Sequence, residues 1–196
     1  SLTALTAVLG ASFVGVQNAN AQATENVQAT AQFQIALETS KISDIAYGAV
    51  GVITVPPAGA STATLATDGS IAYTNDFQGG GTGTIGQVNI TAGSTGTDIE
   101  VFCDATATLE ASAGNTINVT SVGFDFNSAT AGAPANTCQG ASGPAAGVVQ
   151  AAAFPANINF GGVLDAGTIG GTFEPEALYD SSSAGGSAIT VTVSYQ

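Results

Sequence analysis

From Thr24 to Glu38 the chain reads TENVQATAQFQIALE, in which Val27, Ala29, Ala31, Phe33, Ile35 and Leu37 alternate with Asn26, Gln28, Thr30, Gln32, Gln34 and Ala36. A period of two places alternate side chains on one face of an extended backbone, so this stretch predicts a strand with one apolar face. The same period closes the chain, where SAITVTVSYQ sets Ile189, Val191, Val193 and Tyr195 on one side. Between these ends the sequence keeps to short β-prone runs. Ser61–Ala66 and Ser70–Thr74 flank Asp68-Gly69, a hairpin signal. Val50–Val55 stops at Pro56-Pro57, which cannot continue a ladder. Val88–Thr91, Ile99–Asp104, Thr106–Leu109, Val148–Phe154, Ile158–Leu164 and Thr168–Phe173 extend the series. In Thr116–Phe126 the apolar phase changes at Ser121, which predicts a bulge or bend there. A break is expected near Ser40 and Lys41, so that Gln34 opens one strand and Ile42 the next.

Composition agrees with this reading. Only 8% of the residues are charged and 26 are Gly, which suits strands joined by tight turns better than helices rich in Leu, Glu and Lys. An apolar content of 44% argues against a disordered chain. Some twelve short strands in 196 residues predict one all-β domain, a sandwich.

The start of the sequence has a different character. Leu2–Val16 is apolar and uncharged, and Ala19-Asn20-Ala21 supplies an A-x-A cleavage site, so residues 1–21 are expected to be a secretory signal cut after Ala21. The run is shorter than the roughly 20 residues of a membrane span, and none is expected in the mature form. The alternative, a cleavage upstream of Leu2 that keeps the run in the mature chain, stays open. Cys103 and Cys138 are an even number in a chain expected to be exported, and one disulfide between them is the first reading. It would pin the Ala-, Gly- and Pro-rich stretch 127–147 to the strand carrying Cys103.

The charge balance excludes several functions. Fourteen acidic residues against the single cation Lys41 give a net charge of −13, leaving almost nothing to neutralise phosphates, so nucleic acid is not an expected partner. With no His, Ser–His and Cys–His nucleophiles are ruled out. The glycine-rich QGGGTGTIG at 78–86 lacks the Lys-Ser/Thr ending of a phosphate loop. What remains is carboxylates. Asp98 with Glu100, and Glu174 with Glu176, would share a face in strands, as a glycan hydrolase would require of an acid pair in a cleft. Asp98, Glu100 and Asp104, or Asp165, Glu174, Glu176 and Asp180, carry oxygen ligands suited to calcium, but no loop has a calcium-binding pattern. The plain reading of these acids is solvated edges and turns that discourage edge-to-edge association. Lys41 is read as a surface lysine, with an intramolecular isopeptide bond as the alternative. No catalytic residue, metal or cofactor is expected.

Three features together carry a family resemblance. The ending VTVSYQ resembles the C-terminus of chaperone-usher pilins. The N-terminal order VQATAQF, QIALETS and Ile42-Ser43-Asp44-Ile45-Ala46-Tyr47-Gly48, the last in place of a D-L-x-F-G motif, resembles the spore-coat-U-like secreted pilin-like families. Phe160-Gly161-Gly162 and Ile169-Gly170-Gly171-Thr172 are similar to an Ala/Gly/Thr-rich secreted bacterial family of that kind. The resemblance implies an incomplete immunoglobulin-like β-sandwich, residues 34–196, completed by a donor strand from another copy. Residues 22–33 would be that donor, with Val27, Ala29, Ala31 and Phe33 filling pockets. Ile189, Val191, Val193 and Tyr195 would border the receiving groove. It further implies a homo-polymer on the cell surface, active in adhesion or biofilm, with a periplasmic chaperone and an outer-membrane usher as possible assembly partners. Two other expectations stand beside it, a monomeric secreted adhesin or binding module and a carboxylate-dependent glycan hydrolase.

Overall fold

The computed structural model describes residues 31, 33–80 and 82–196. Contacts divide the chain between Phe33 and Gln34, and the fold below belongs to the unit Gln34–Gln196. All its regular structure is β. The strands are β1 (Glu38–Ser43), β2 (Gly51–Val52), β3 (Thr62–Leu65), β4 (Ile71–Tyr73), β5 (Phe77–Gln78), β6 (Gly86–Ala92), β7 (Asp98–Cys103), β8 (Ala107–Ser112), β9 (Asn115–Phe126), β10 (Asn136–Thr137), β11 (Gly147–Gln150), β12 (Ala156–Gly170) and β13 (Val191–Tyr195). Every pairing is antiparallel. Among the described residues no helix is long and apolar enough to cross a membrane.

The large sheet is built on β12. One edge of this 15-residue strand takes β9, while the other takes β6 as far as Phe160 and β3 from Gly162 onward. The glycine pair at the changeover permits this, since a Cβ on Gly161 would run into the Leu65 backbone carbonyl, which cannot give way. Two separate strands are expected over this stretch. They are one, because β12 runs unbroken from Ala156 to Gly170 across the gap expected between Leu164 and Thr168. β1 extends the sheet from β6, β4 from β3, and β8 and β10 from β9. A second sheet has the order β11–β7–β13, and β2 pairs with β5 in a short ribbon.

The inner faces share one core. Ile99, Val101 and Cys103 of β7 alternate inward and join Ile117, Val119, Phe124, Ile158 and Phe160 of β9 and β12 in a single buried cluster. Phe124 and Phe160 are register partners, with tilted rings whose centroids lie 5.7 Å apart. This arrangement of antiparallel sheets around one core is consistent with a β-sandwich. The disulfide joins Cys103 at the end of β7 to Cys138, just after β10, with Cα atoms 5.0 Å apart. It therefore staples the small sheet to the large one.

Local signals are met closely. The Asp68-Gly69 hairpin joins β3 to β4, with Gly69 at φ +88° and the Asp68 carboxylate accepting from the Ser70 amide at 2.9 Å. The expected bulge lies at Ser121, whose φ is +50°, where β9 spends an extra residue against β12. At the N-terminal side the expectation is corrected. β1 begins at Glu38 rather than Gln34, and it runs through Ser40 and Lys41, with a register irregularity between Lys41 and Ser43 in place of a break. Its residues are largely exposed, so polar side chains on this edge strand cost nothing and do not interrupt the ladder.

The stretch 127–147 is held by a buried charge. Asp125 is 1% exposed. Its carboxylate accepts from the Ala135 amide at 2.8 Å, from Thr130 Oγ1 at 2.8 Å and from Thr67 Oγ1. Burial opposes the charge, but the bonds from Thr67, Ala135 and Thr130 outweigh it and hold the carboxyl below its usual range. A depressed folded pKa contributes stability above the unfolded value near 3.9, and that contribution is lost as pH falls through the folded value. Asp125→Asn removes the charge and one acceptor. It is expected to cost about 1–3 kcal/mol in urea melts at pH 7 and to narrow the stability difference between pH 7 and pH 3.

Candidate functional site

β13 is an edge strand of the small sheet. It pairs with β7 from Val191 opposite Cys103 to Tyr195 opposite Ile99, and among the described residues no strand covers its other edge. Val191, Val193 and Tyr195 are half-buried and pack on the core, while Thr192 is exposed, as the alternation predicts. The strand is shorter than its sequence pattern. Ile189 precedes it, because the backbone from Ser187 to Thr190 is bonded elsewhere: Ser187 bridges Thr108, and the Thr190 amide donates to Asp104 Oδ2 at 2.9 Å. Ile189 is nevertheless half-buried against the core.

Beside this strand a cleft of about 120 Å³ opens between the two sheets. Ile45, Leu109, Val119, Phe160, Ile189 and Val191 supply its apolar walls. Lys41 and Asp44 stand at its rim as an exposed ion pair at 2.9 Å, a contact worth little in water. Lys41 is thus the surface lysine it is read to be. Tyr47 also lines the cleft, 7% exposed, and its hydroxyl has no hydrogen-bond partner; burial pushes the phenol well above its ordinary pKa. These walls come from the stretch after β1, from β8, β9 and β12, and from β13 with its approach, so no local pattern marks the cleft.

The far end of β13 is engaged differently. The Tyr195 hydroxyl donates to the Ile35 carbonyl at 2.6 Å and accepts from the Ser94 amide at 2.6 Å. The Ile35 amide donates to Ser94 Oγ at 2.9 Å. Both main-chain groups of Ile35 are therefore taken by side-chain oxygens, which is why Ile35 belongs to no ladder despite its place in an alternating run. Of the expected donor residues, Val27 and Ala29 lie outside the described residues. Ala31 and Phe33 are exposed, Phe33 at 93%, and neither is in a strand.

The acids are dispersed. Asp98 and Glu100 share the outer face of β7, with Gln150 Nε2 bonded to Asp98. Asp104 spans two loops, accepting from the Ala141 and Thr190 amides at 3.0 and 2.9 Å, and these bonds hold it below its usual pKa against the opposing effect of burial. Glu174 and Glu176 are not in a strand, because β12 ends at Gly170 and the chain turns, with Glu176 at φ +65°. Glu174 accepts from Ser112 Oγ and Asn115 Nδ2, bonds that lower its pKa. Asp165 and Asp180 bond the amides of Gly167 and Ser182, two residues on, at 2.8 and 2.7 Å. Among the described residues no group of three or more His, Cys, Asp or Glu side chains could hold a metal ion. A second, shallower cleft of about 570 Å³ between residues 55–59 and 166–173 is lined by Val55, Pro56, Ile169 and Phe173, and neither acid pair borders it or the first cleft. No protein-family model, curated protein or solved structure matches the chain significantly.

Proposed function

We propose that this chain is a structural subunit of an extracellular filament, polymerising head-to-tail when residues 22–33 of one copy complete the sandwich of the next. The observation that supports the reading is the apolar cleft at the Ile189–Val191 end of β13, a strand with one uncovered edge among the described residues. A sheet edge offers a row of main-chain donors and acceptors, and an apolar cleft beside it accepts alternate side chains, which is what strand addition requires. The sequence holds a segment of that kind in Val27, Ala29, Ala31 and Phe33. In this reading the copies form an open chain. Ile35, where the N-terminal segment joins the domain, is tied to the Tyr195 end of β13, whereas the cleft is lined from the Ile189 end, roughly 20 Å along an extended backbone. A contact between a donor segment and a cleft is heterologous, and it propagates as a filament where its rotation does not close a ring. In this reading the filament lies on the cell surface and serves adhesion or biofilm formation, and a periplasmic chaperone and an outer-membrane usher are candidate assembly partners.

Lys41 supplies the test. It is the only Lys or Arg in the chain and stands at the rim of the cleft, so trypsin has one site there. A domain beginning at Gln34 is expected to be cut after Lys41. Adding a synthetic peptide of residues 22–33 is expected to slow that cut at least tenfold, while a peptide with Val27, Ala29, Ala31 and Phe33 all changed to Ser gives no protection. Equal cutting with and without the first peptide would overturn the reading.

The alternative is a monomeric adhesin or binding module whose own N-terminal segment covers β13. It predicts a stable monomer of the chain from Gln22 onward that resists trypsin at Lys41 at any concentration.

A further inference from the structure

We infer that the cleft beside β13 holds a small uncharged molecule, an apolar body of about six to eight heavy atoms carrying one oxygen, and that the Tyr47 hydroxyl recognises that oxygen. The inference goes beyond the filament reading and does not rest on it, since it concerns what a single copy binds.

Tyr47 is what marks the cleft as a site. The residue is 7% exposed and lines the cleft, and among the described residues its hydroxyl has no hydrogen-bond partner. A buried tyrosine ordinarily finds a partner for that group, because leaving it unpaired costs free energy. The hydroxyl lies over the inner face of β12: a Cβ built on Gly162 would stand 3.5 Å from it and 2.7 Å from Val119 Cγ1. Val119 and Phe160 both wall the cleft, so the unpaired oxygen sits beside the apolar surface that a bound molecule would touch. Burial keeps the phenol protonated, which leaves it a proton to donate.

Most of the other polar side chains at the cleft are already bonded. Ser43 Oγ donates to the Ile85 carbonyl and Gln87 Nε2 to Asn159 Oδ1, each at 2.7 Å, and Lys41 is paired with Asp44 at the rim. A water at Tyr47 would therefore find few further partners, whereas an internal water normally makes about three hydrogen bonds. An apolar molecule with one oxygen meets the site better, because its body covers the walls and its oxygen accepts from Tyr47. Volume sets the size. The cleft offers about 120 Å³, and an apolar cavity of about 150 Å³ admits benzene. A charged molecule does not fit, since its charge would be buried against Leu109, Ile189 and Val191 while Lys41 and Asp44 already neutralise each other.

Phenol and benzene are the probes, titrated into the soluble full chain and followed by the NMR shifts of the Val119, Phe160 and Val191 amides. Water holds phenol better than benzene, so a merely apolar cleft would prefer benzene. Phenol is instead expected to bind at least as tightly. Tyr47→Phe is expected to weaken phenol at least fivefold, the scale of a buried O–H left without a partner, while changing benzene less than twofold. The same substitution is expected to leave the thermal midpoint no lower, because the hydroxyl it removes has no bond to lose. Tighter binding of benzene by the unaltered chain, equal losses of both probes in the variant, or no shift of the three amides with either probe would overturn the inference. A lowered midpoint in the variant would overturn it as well, by showing that the hydroxyl is already bonded in the free protein.

Discussion

Deleting residues 22–33 is expected to abolish filaments and leave a soluble monomer that still accepts the missing segment as a peptide. The domain's pairings explain why the monomer should survive. β13 keeps its ladder to β7, and among the described residues the core of β7, β9 and β12 involves nothing before Gln34. What the deletion leaves is a β13 edge with unmade hydrogen bonds and a cleft walled by Leu109, Phe160, Ile189 and Val191 facing water. The expected loss is therefore in assembly, with filament mass down at least a hundredfold and the unfolding midpoint lowered by only a few degrees. Mixing the deleted form with the intact chain sharpens the result. A subunit that accepts but cannot donate ends a growing filament, so substoichiometric amounts should shorten filaments in electron micrographs. Normal filaments from the deleted form alone would sink the proposed mechanism.

The second large effect is on stability. Replacing Cys103 and Cys138 together by Ser opens a loop whose ends are 35 positions apart, and the chain-entropy model assigns a closure of that size roughly 3.5 to 4 kcal/mol. The position of the bridge adds to that figure. Cys103 is fully buried and Cys138 nearly so, and two hydroxyls would take their place in an apolar core. Around the bridge, the Cys138 amide donates to the Val122 carbonyl and the Gly140 amide to the Cys103 carbonyl, each at 2.9 Å. These bonds and the Asp125 cluster hold the 127–147 stretch at several points, so the loop is not expected to detach as a whole. Denaturant melts of the Ser/Ser form should show a midpoint lowered by an amount equivalent to about 4 kcal/mol, with the slope raised as the unfolded chain expands. An unchanged midpoint would mean that the sheets are held without the staple.

These two effects separate assembly from folding. The segment before Ile35 is expected to carry filament formation with little influence on the domain, and the disulfide the reverse. Ser94 and Tyr195 bond the main chain of Ile35, at the start of the domain.

Features of the fold that depend on neighbours in sequence were legible in the sequence. Asp68-Gly69 names its hairpin because a tight turn needs a positive φ at Gly69, and the phase change at Ser121 names its bulge because one extra residue must flip the alternation. The alternation of Val191, Val193 and Tyr195 identified the face of β13 that meets the core, and two cysteines allowed one pairing. The count of short β-runs indicated an all-β chain because strands repeat every two residues whatever they pair with.

Only the tertiary structure decided which strands lie at sheet edges, and where polar groups find their partners. The gap between Leu164 and Thr168 looks like a boundary in sequence and lies inside the longest strand, and the change of neighbour at Gly161-Gly162 depends on β6 and β3 arriving from more than 60 residues away. Asp125 carries no local mark of burial and is buried, because Thr67, Thr130 and Ala135 come from stretches that meet only in the folded state. Ile35 looks like one more residue of a strand and lies outside every ladder, because its partners, Ser94 and Tyr195, are 59 and 160 positions away. Periodicity is a property of the local backbone. The choice of hydrogen-bond partner belongs to the whole fold, where every buried donor and acceptor competes for what the other strands have left free.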